Sequence, residues 1–114
     1  MKLAEIRDLL NCDVLAGEHL LDTEVDAAVA SEAMSAVLAH PHPRAFLITG
    51  LTNVQSVRTA LIAFASAILY VGGNRPGEAT IRLAEEKQLV LLMTTLGTFE
   101  TSGILYAHGI KGAS

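Results

Sequence analysis

The chain has 114 residues, of which 51% are hydrophobic and 18% charged, and a formal net charge of −4 from eight basic and twelve acidic residues. That length suits one ordinary domain with a core burying roughly two-thirds of its unfolded surface, so residues 1–114 are read as a single unit. No basic run is present, so the electrostatic footprint of a nucleic-acid binder is missing.

Residues 2–11 set Leu3, Ile6 and Leu10 at helical spacing with Lys2, Glu5 and Asp8 elsewhere, which predicts a short amphipathic helix. Glu5 and Asp8 also interrupt the apolar core that a secretory leader would need. The lone Cys12 cannot form an internal disulfide, and together these features predict a cytoplasmic protein. Residues 13–17 and 26–30 read as short strands on either side of a polar turn at Asp22, Thr23 and Glu24. Ser31 is placed to cap a helix running to about Ala39, which His40, Pro41, His42 and Pro43 then stop. The two histidines could share a metal in principle, but no third ligand can be placed, and an exposed loop is the reading.

From Arg44 the pattern becomes regular. Apolar strands at 45–49, 67–71 and 89–93 each lead into a helix, which argues for an α/β domain with a mainly parallel sheet and flanking helices. The first of these helices is expected to start near Thr52, with Gln55 at capping-box spacing and Val54, Val57, Leu61 and Phe64 on one stripe. The second has Pro76 in its predicted first turn and ends at Glu85, Glu86 and Lys87. The third is expected to be capped by Thr98 and stopped at Gly109. The apolar stretch at 60–73 falls well short of the ~20 residues that span a bilayer, so no membrane anchor is expected.

Each of the three strands ends in a junction of small residues: Thr49 to Asn53, then Gly72 to Arg75, then Thr94 to Thr98. Parallel strands would bring these junctions to one edge. The carboxyl edge of such a sheet is the usual ligand site, because helix amino termini present free amides and partial positive charge there. Gly50, Thr52, Asn53, Gly72, Gly73, Asn74, Arg75, Thr95 and Thr98 are therefore the candidate ligand-binding residues, with Arg75 as the cation of the group. Gly72 and Gly73 fit either of two readings, a phosphate cradle or a tight turn into a helix.

Neither G-x-x-x-x-G-K-[ST] nor G-x-G-x-x-G occurs, which argues against phosphoryl transfer. Cys12 has no nearby histidine and reads as a small buried hydrophobe. Glu18, Glu78 and Glu100 fall at predicted helix starts and His108 in a last turn, where the helix dipole suffices to explain them. His19 has no evident role. No catalytic residue, metal site or cofactor is assigned, and the chain is expected not to be an enzyme.

The stretches CDVLAGE, FLITG, LYVGGNRP and TTLGTFETSGILYAHGIKG together resemble a DRTGG domain, over about residues 12–112. That resemblance implies a relative of the non-catalytic amino-terminal part of HPr kinase/phosphorylases and of the regulatory DRTGG domain of pyrophosphatases and phosphotransacetylases. A serine kinase label by similarity would mislead, since no phosphate loop is present. There are departures: many members have Gly-Asp-Arg where this chain has Gly50, Leu51 and Thr52. Val71 stands for a usual threonine, and Gly97 for a common aspartate.

The expected function is regulatory: binding of a small anionic ligand, adenine nucleotides among the candidates, at the carboxyl edge, with action through a protein partner or a homodimer. The alternative is an assembly subunit with no small-molecule ligand, since a small domain this hydrophobic leaves an apolar patch for a partner.

Overall fold

Adjacent side chains along a strand point to opposite faces, so short strands apolar at every position call for cover on both sides. The computed structural model, which describes residues 1–113, shows that arrangement. Chain order is α1 (Leu3–Leu9), β1 (Asp13–Ala16), a 3-10 turn (Glu18–Leu20), β2 (Ala27–Ala30), α2 (Met34–Ala39), β3 (Phe46–Thr49), α3 (Val54–Ile62), β4 (Ala67–Tyr70), α4 (Glu78–Glu86), β5 (Val90–Met93), α5 (Thr98–Ala107) and β6 (Lys111–Gly112). The strands form one sheet in the order β1-β5-β4-β3-β2-β6. All neighbours pair in parallel except β1, which runs antiparallel to β5 with a bulge between Val14 and Ala16. β1 follows α1 directly, without a crossover. The Thr94 hydroxyl donates to the Leu10 carbonyl at 2.9 Å, so the chain enters β1 beside the carboxyl end of β5 and must run back along it.

Leu47, Ile68, Tyr70 and Leu91 pack with Val37, Val57, Ala60 and Ala84 of α2, α3 and α4. Their strand neighbours Phe46, Ile48, Leu69 and Leu92 pack on the opposite face with Leu3 and Ile6 of α1 and Leu105 of α5. Direction along the sheet explains this division. Right-handed crossovers from β2 through β5 place three helices on one face. The step from β5 back to β6, beyond β2, reverses direction and places α5 on the other. Among the described residues no helix is long and apolar enough to cross a membrane.

Several helix starts lie a residue or more from the expected positions. Asn53, not Thr52, caps α3: its Oδ1 accepts from the Ser56 amide at 3.3 Å, while the Thr52 carbonyl accepts from the Thr80 hydroxyl of α4 at 3.0 Å. Ser31 does not cap α2, because its Oγ accepts from the Ala33 amide at 3.0 Å, in a turn that ends before the helix begins. Pro76 precedes the cap Gly77, and Thr98 is the first helical residue of α5 after its cap Gly97. Phe64 lies past the end of α3 and is 70% exposed, so the buried stripe is Val57 and Ala60, continued by Ala63.

The helix ends share one device. At Asn11, Phe64, Gln88 and Gly109 the backbone turns to positive φ. In each case the next amide bonds back to a carbonyl five residues earlier: Cys12 to Arg7, Ala65 to Ala60, Leu89 to Ala84 and Ile110 to Leu105. These are Schellman ends to α1, α3, α4 and α5.

Candidate functional site

Parallel pairing brings the three small-residue junctions to the carboxyl edge of the sheet, joined there by the end of β2 and the start of β1. The connection after β4 leaves toward α4 on one face and that after β5 toward α5 on the other. The crevice of an open α/β sheet therefore falls between β4 and β5. Here the backbone bridges it. The Gly72 amide donates to the Leu96 carbonyl at 2.6 Å, and the Gly73 amide to the Thr94 carbonyl at 2.9 Å. Both glycines sit at φ near +70°, which aims their amides across the gap. Of the two readings of this pair, the geometry shows the tight turn, with both amides engaged by the protein.

The β3–α3 junction is occupied as well. Glu32, on the loop after β2, accepts at one oxygen from the Gly50 amide at 2.7 Å and from the Thr49 hydroxyl at 3.1 Å. Asn74 lies alongside, donating to the Val71 carbonyl at 3.2 Å. A Cβ on Gly50 would come within 3.3 Å of the Glu32 carboxylate and 3.5 Å of the Asn74 amide. Gly50, Gly72, Asn74 and Glu32 thus form one cluster. Glu32 went unread in the sequence, where it was one acid on a predicted helix start. A signal was present in retrospect, since Gly50 must leave room for a neighbour.

Asn53 is committed to capping α3 and Thr52 contributes its carbonyl to Thr80. Arg75 is exposed and turned toward β1, where it lines an open groove with Arg7, Asp13, Glu18 and Glu85, away from Gly50. Thr95 and Thr98 are exposed beside the amino terminus of α5. Both α4 and α5 begin at a glycine with no side-chain cap, so their first amides are open toward this edge. Phe99, in the first turn of α5, is 90% exposed, leaving an aromatic ring at the start of that helix.

Below the edge, Tyr70 is fully buried and its hydroxyl lies 2.8 Å from Ser56 Oγ. The Ser56 hydroxyl donates to the Asn53 carbonyl at 2.7 Å, so Tyr70 must be the donor to Ser56. Burial raises the Tyr70 pKa, partly offset by this bond. Cys12, at the start of β1, is pushed up to about 12 by burial and by Asp13, which keeps it a thiol. Among the described residues no three His, Cys, Asp or Glu side chains gather as metal ligands.

The DRTGG domain family model matches residues 5–107. Among solved structures, the chain is similar to the crystal structure of the CBS and DRTGG domains of the regulatory region of Clostridium perfringens pyrophosphatase, complexed with the activator diadenosine tetraphosphate. The TM-score is 0.74 at 17% identity, covering 91% of this chain and 45% of that one. The chain thus spans less than half of that structure's length, and at this identity the likeness shows the fold. No curated protein matches.

Proposed function

Because this chain belongs to the DRTGG domain family, we propose that it is a regulatory module without chemistry of its own. It binds a small anionic ligand, an adenine nucleotide, at the carboxyl edge and passes the bound state to a protein partner or a second copy. The observation that carries this reading is the pair of uncapped amino termini of α4 and α5 flanking the β4–β5 crevice, with the exposed Phe99 ring in the first turn of α5. Helix amides attract a phosphate and an aromatic ring stacks a base. Thr95, Thr98 and Asn74 are the side chains within this neighbourhood, and Arg75 lies at its border. The activator named for the pyrophosphatase regulatory region supports the choice of ligand class.

Calorimetric titration with ATP, ADP, AMP and diadenosine tetraphosphate tests it. Saturable binding of one nucleotide, weakened at least tenfold by Phe99→Ala, is the expected result. Flat titrations across the panel would remove the ligand. Arg75→Ala decides a narrower matter, since retained binding places Arg75 outside the site.

A second reading rests on α5. Phe99 and Tyr106, 90% and 75% exposed, lie seven residues apart on one stripe with Gly103 between them. We read this face as an assembly surface, a homodimer being the simplest case. Light scattering that shows a monomer at micromolar concentration, with no change in Phe99→Ser, would remove it.

A further inference from the structure

The opposite, amino-terminal edge of the sheet carries a groove of about 450 Å³, within the size range of small-ligand sites. Its lining includes Arg44, Phe64, Ser66, Lys87 and Gln88. We infer that this groove binds a small aromatic anion, an aryl phosphate or aryl carboxylate, with its charged head between Arg44 and Lys87 and its ring on Phe64.

Three independent observations support it. First, charge: both cations are exposed, and neither takes part in an ion pair among the described residues. No carboxylate lines the groove. Of the acids close by, Asp22 pairs with Lys2 at 3.9 Å and Glu24 with the terminal amine at 3.2 Å, Glu85 lines the separate groove beside Arg75, and Glu86, next to Lys87 in the chain, lies outside the lining. In a chain of net charge −4, an acid-free pocket holding two unpaired cations is a local reversal of sign.

Second, backbone: of the four non-glycine residues at positive φ among those described, Arg44, Phe64 and Gln88 all line this one groove. Glycine occupies the corresponding position at the end of α5, and asparagine that of α1. At the ends of α3 and α4 the chain instead keeps a bulky or long side chain where a left-handed backbone disfavours one. Strain of this kind collects where a side chain is needed for something besides packing. Phe64, 70% exposed, is not needed for packing.

Third, rigidity: the Arg44 amide donates to the Phe64 carbonyl at 2.9 Å, and the Ser66 hydroxyl donates to the Arg44 carbonyl at 2.8 Å. The cation and the ring therefore hang from one stitched piece of backbone. A phosphate or carboxylate meets the guanidinium, while an aromatic ring covers Phe64.

This site lies at the other end of the strands from the nucleotide edge, and the two stand or fall separately. The experiment is an amide NMR titration of the full chain with phenyl phosphate, with inorganic phosphate as the ringless control. Saturable shifts confined to Arg44, Phe64 to Ser66, and Lys87 to Gln88 are expected, with inorganic phosphate at least tenfold weaker. Arg44→Gly and Phe64→Gly relieve the backbone, so each should hold or raise the melting temperature while weakening phenyl phosphate at least tenfold. Lys87→Ala, on an exposed helix end, should do the same without touching a strained position. Absent shifts, equal binding of inorganic phosphate, shifts at Gly50 and Asn74 instead, or variants that bind as well as the parent would each overturn the assignment.

Discussion

The carboxylate of Glu32 sits against the backbone of Gly50, 2.7 Å from its amide, at the place where a ligand anion would meet the end of β3. The chain thus carries its own anion at one junction of the carboxyl edge. Replacing it by Glu32→Ala removes that competitor and its repulsion. Calorimetry should then show nucleotide affinity rising about tenfold, roughly 1.4 kcal/mol. Unchanged affinity would place the ligand's phosphates away from Gly50.

Gln88, the residue just past the end of α4, is exposed and has φ +56°. A side chain in this region costs about 1–2 kcal/mol, while glycine's extra freedom in the unfolded chain returns about half of that. Gln88→Gly should therefore stabilise the fold by roughly 0.5–1 kcal/mol, read as a higher urea midpoint at constant slope. A lower midpoint would mean that Gln88 makes a contact worth more than its backbone strain.

Gly17 and Gly73 share nearly the same φ, +75° and +70°, but not the same surroundings. A Cβ on Gly17 would lie 2.8 Å from the Val90 backbone, whereas one on Gly73 meets nothing within 4 Å. Gly73→Ala should cost about 1 kcal/mol, the backbone term alone. Gly17→Ala should cost about 2–4 kcal/mol, because β1 must also move off β5. Equal losses in denaturant titrations would contradict this account.

Tyr70→Phe removes one donor from a buried pair. Since Ser56 keeps its bond to the Asn53 carbonyl, the loss should be about 1 kcal/mol. In a double-mutant cycle with Ser56→Ala the two effects should not add, and full additivity would show that the 2.8 Å contact contributes nothing.

Alkaline pH should weaken the fold. The Cys12 thiol ordinarily ionises near 9.0, but in the folded chain only at about 12. Above about pH 9 the unfolded chain releases this proton while the folded chain keeps it. The unfolded state then binds fewer protons, and stability falls as pH rises toward 12; below pH 9 the contribution is intact. Tyr70, also raised, acts in the same direction. Urea midpoints at pH 8 and about pH 10.5 should separate in the parent and converge in part in Cys12→Ala; an identical separation in both would rule Cys12 out.

The regular half of the fold, from Arg44 onward, was legible because each strand–helix unit carries its own period change and its own breaker. The reversed direction of β1 was not, because antiparallel pairing with β5 depends on a partner from the far end of the chain. Cap positions slipped by a residue where two polar residues stand together, as Thr52 and Asn53 do, and only geometry chooses between them. At the candidate site the junctions were legible as small-residue runs, and the structure brings them to one edge. What sequence could not give is which amides are already taken: Gly72 and Gly73 bond to carbonyls more than twenty positions away, and Glu32 reaches Gly50 from another loop.

Strand order also dictates a sequence of assembly. β2, β3, β4 and β5 are each neighbours of the next in both chain and sheet, so this block can build up through short loop closures. β1 must find β5 across most of the chain, as in the pairing of Asp13 with Met93, and β6 must return past β4, β3 and β2 to pair at the far side of β2. The two outer strands are thus the last to dock and the first to open, so amide protons of β3 and β4 should outlast those of β1 and β6 in hydrogen exchange.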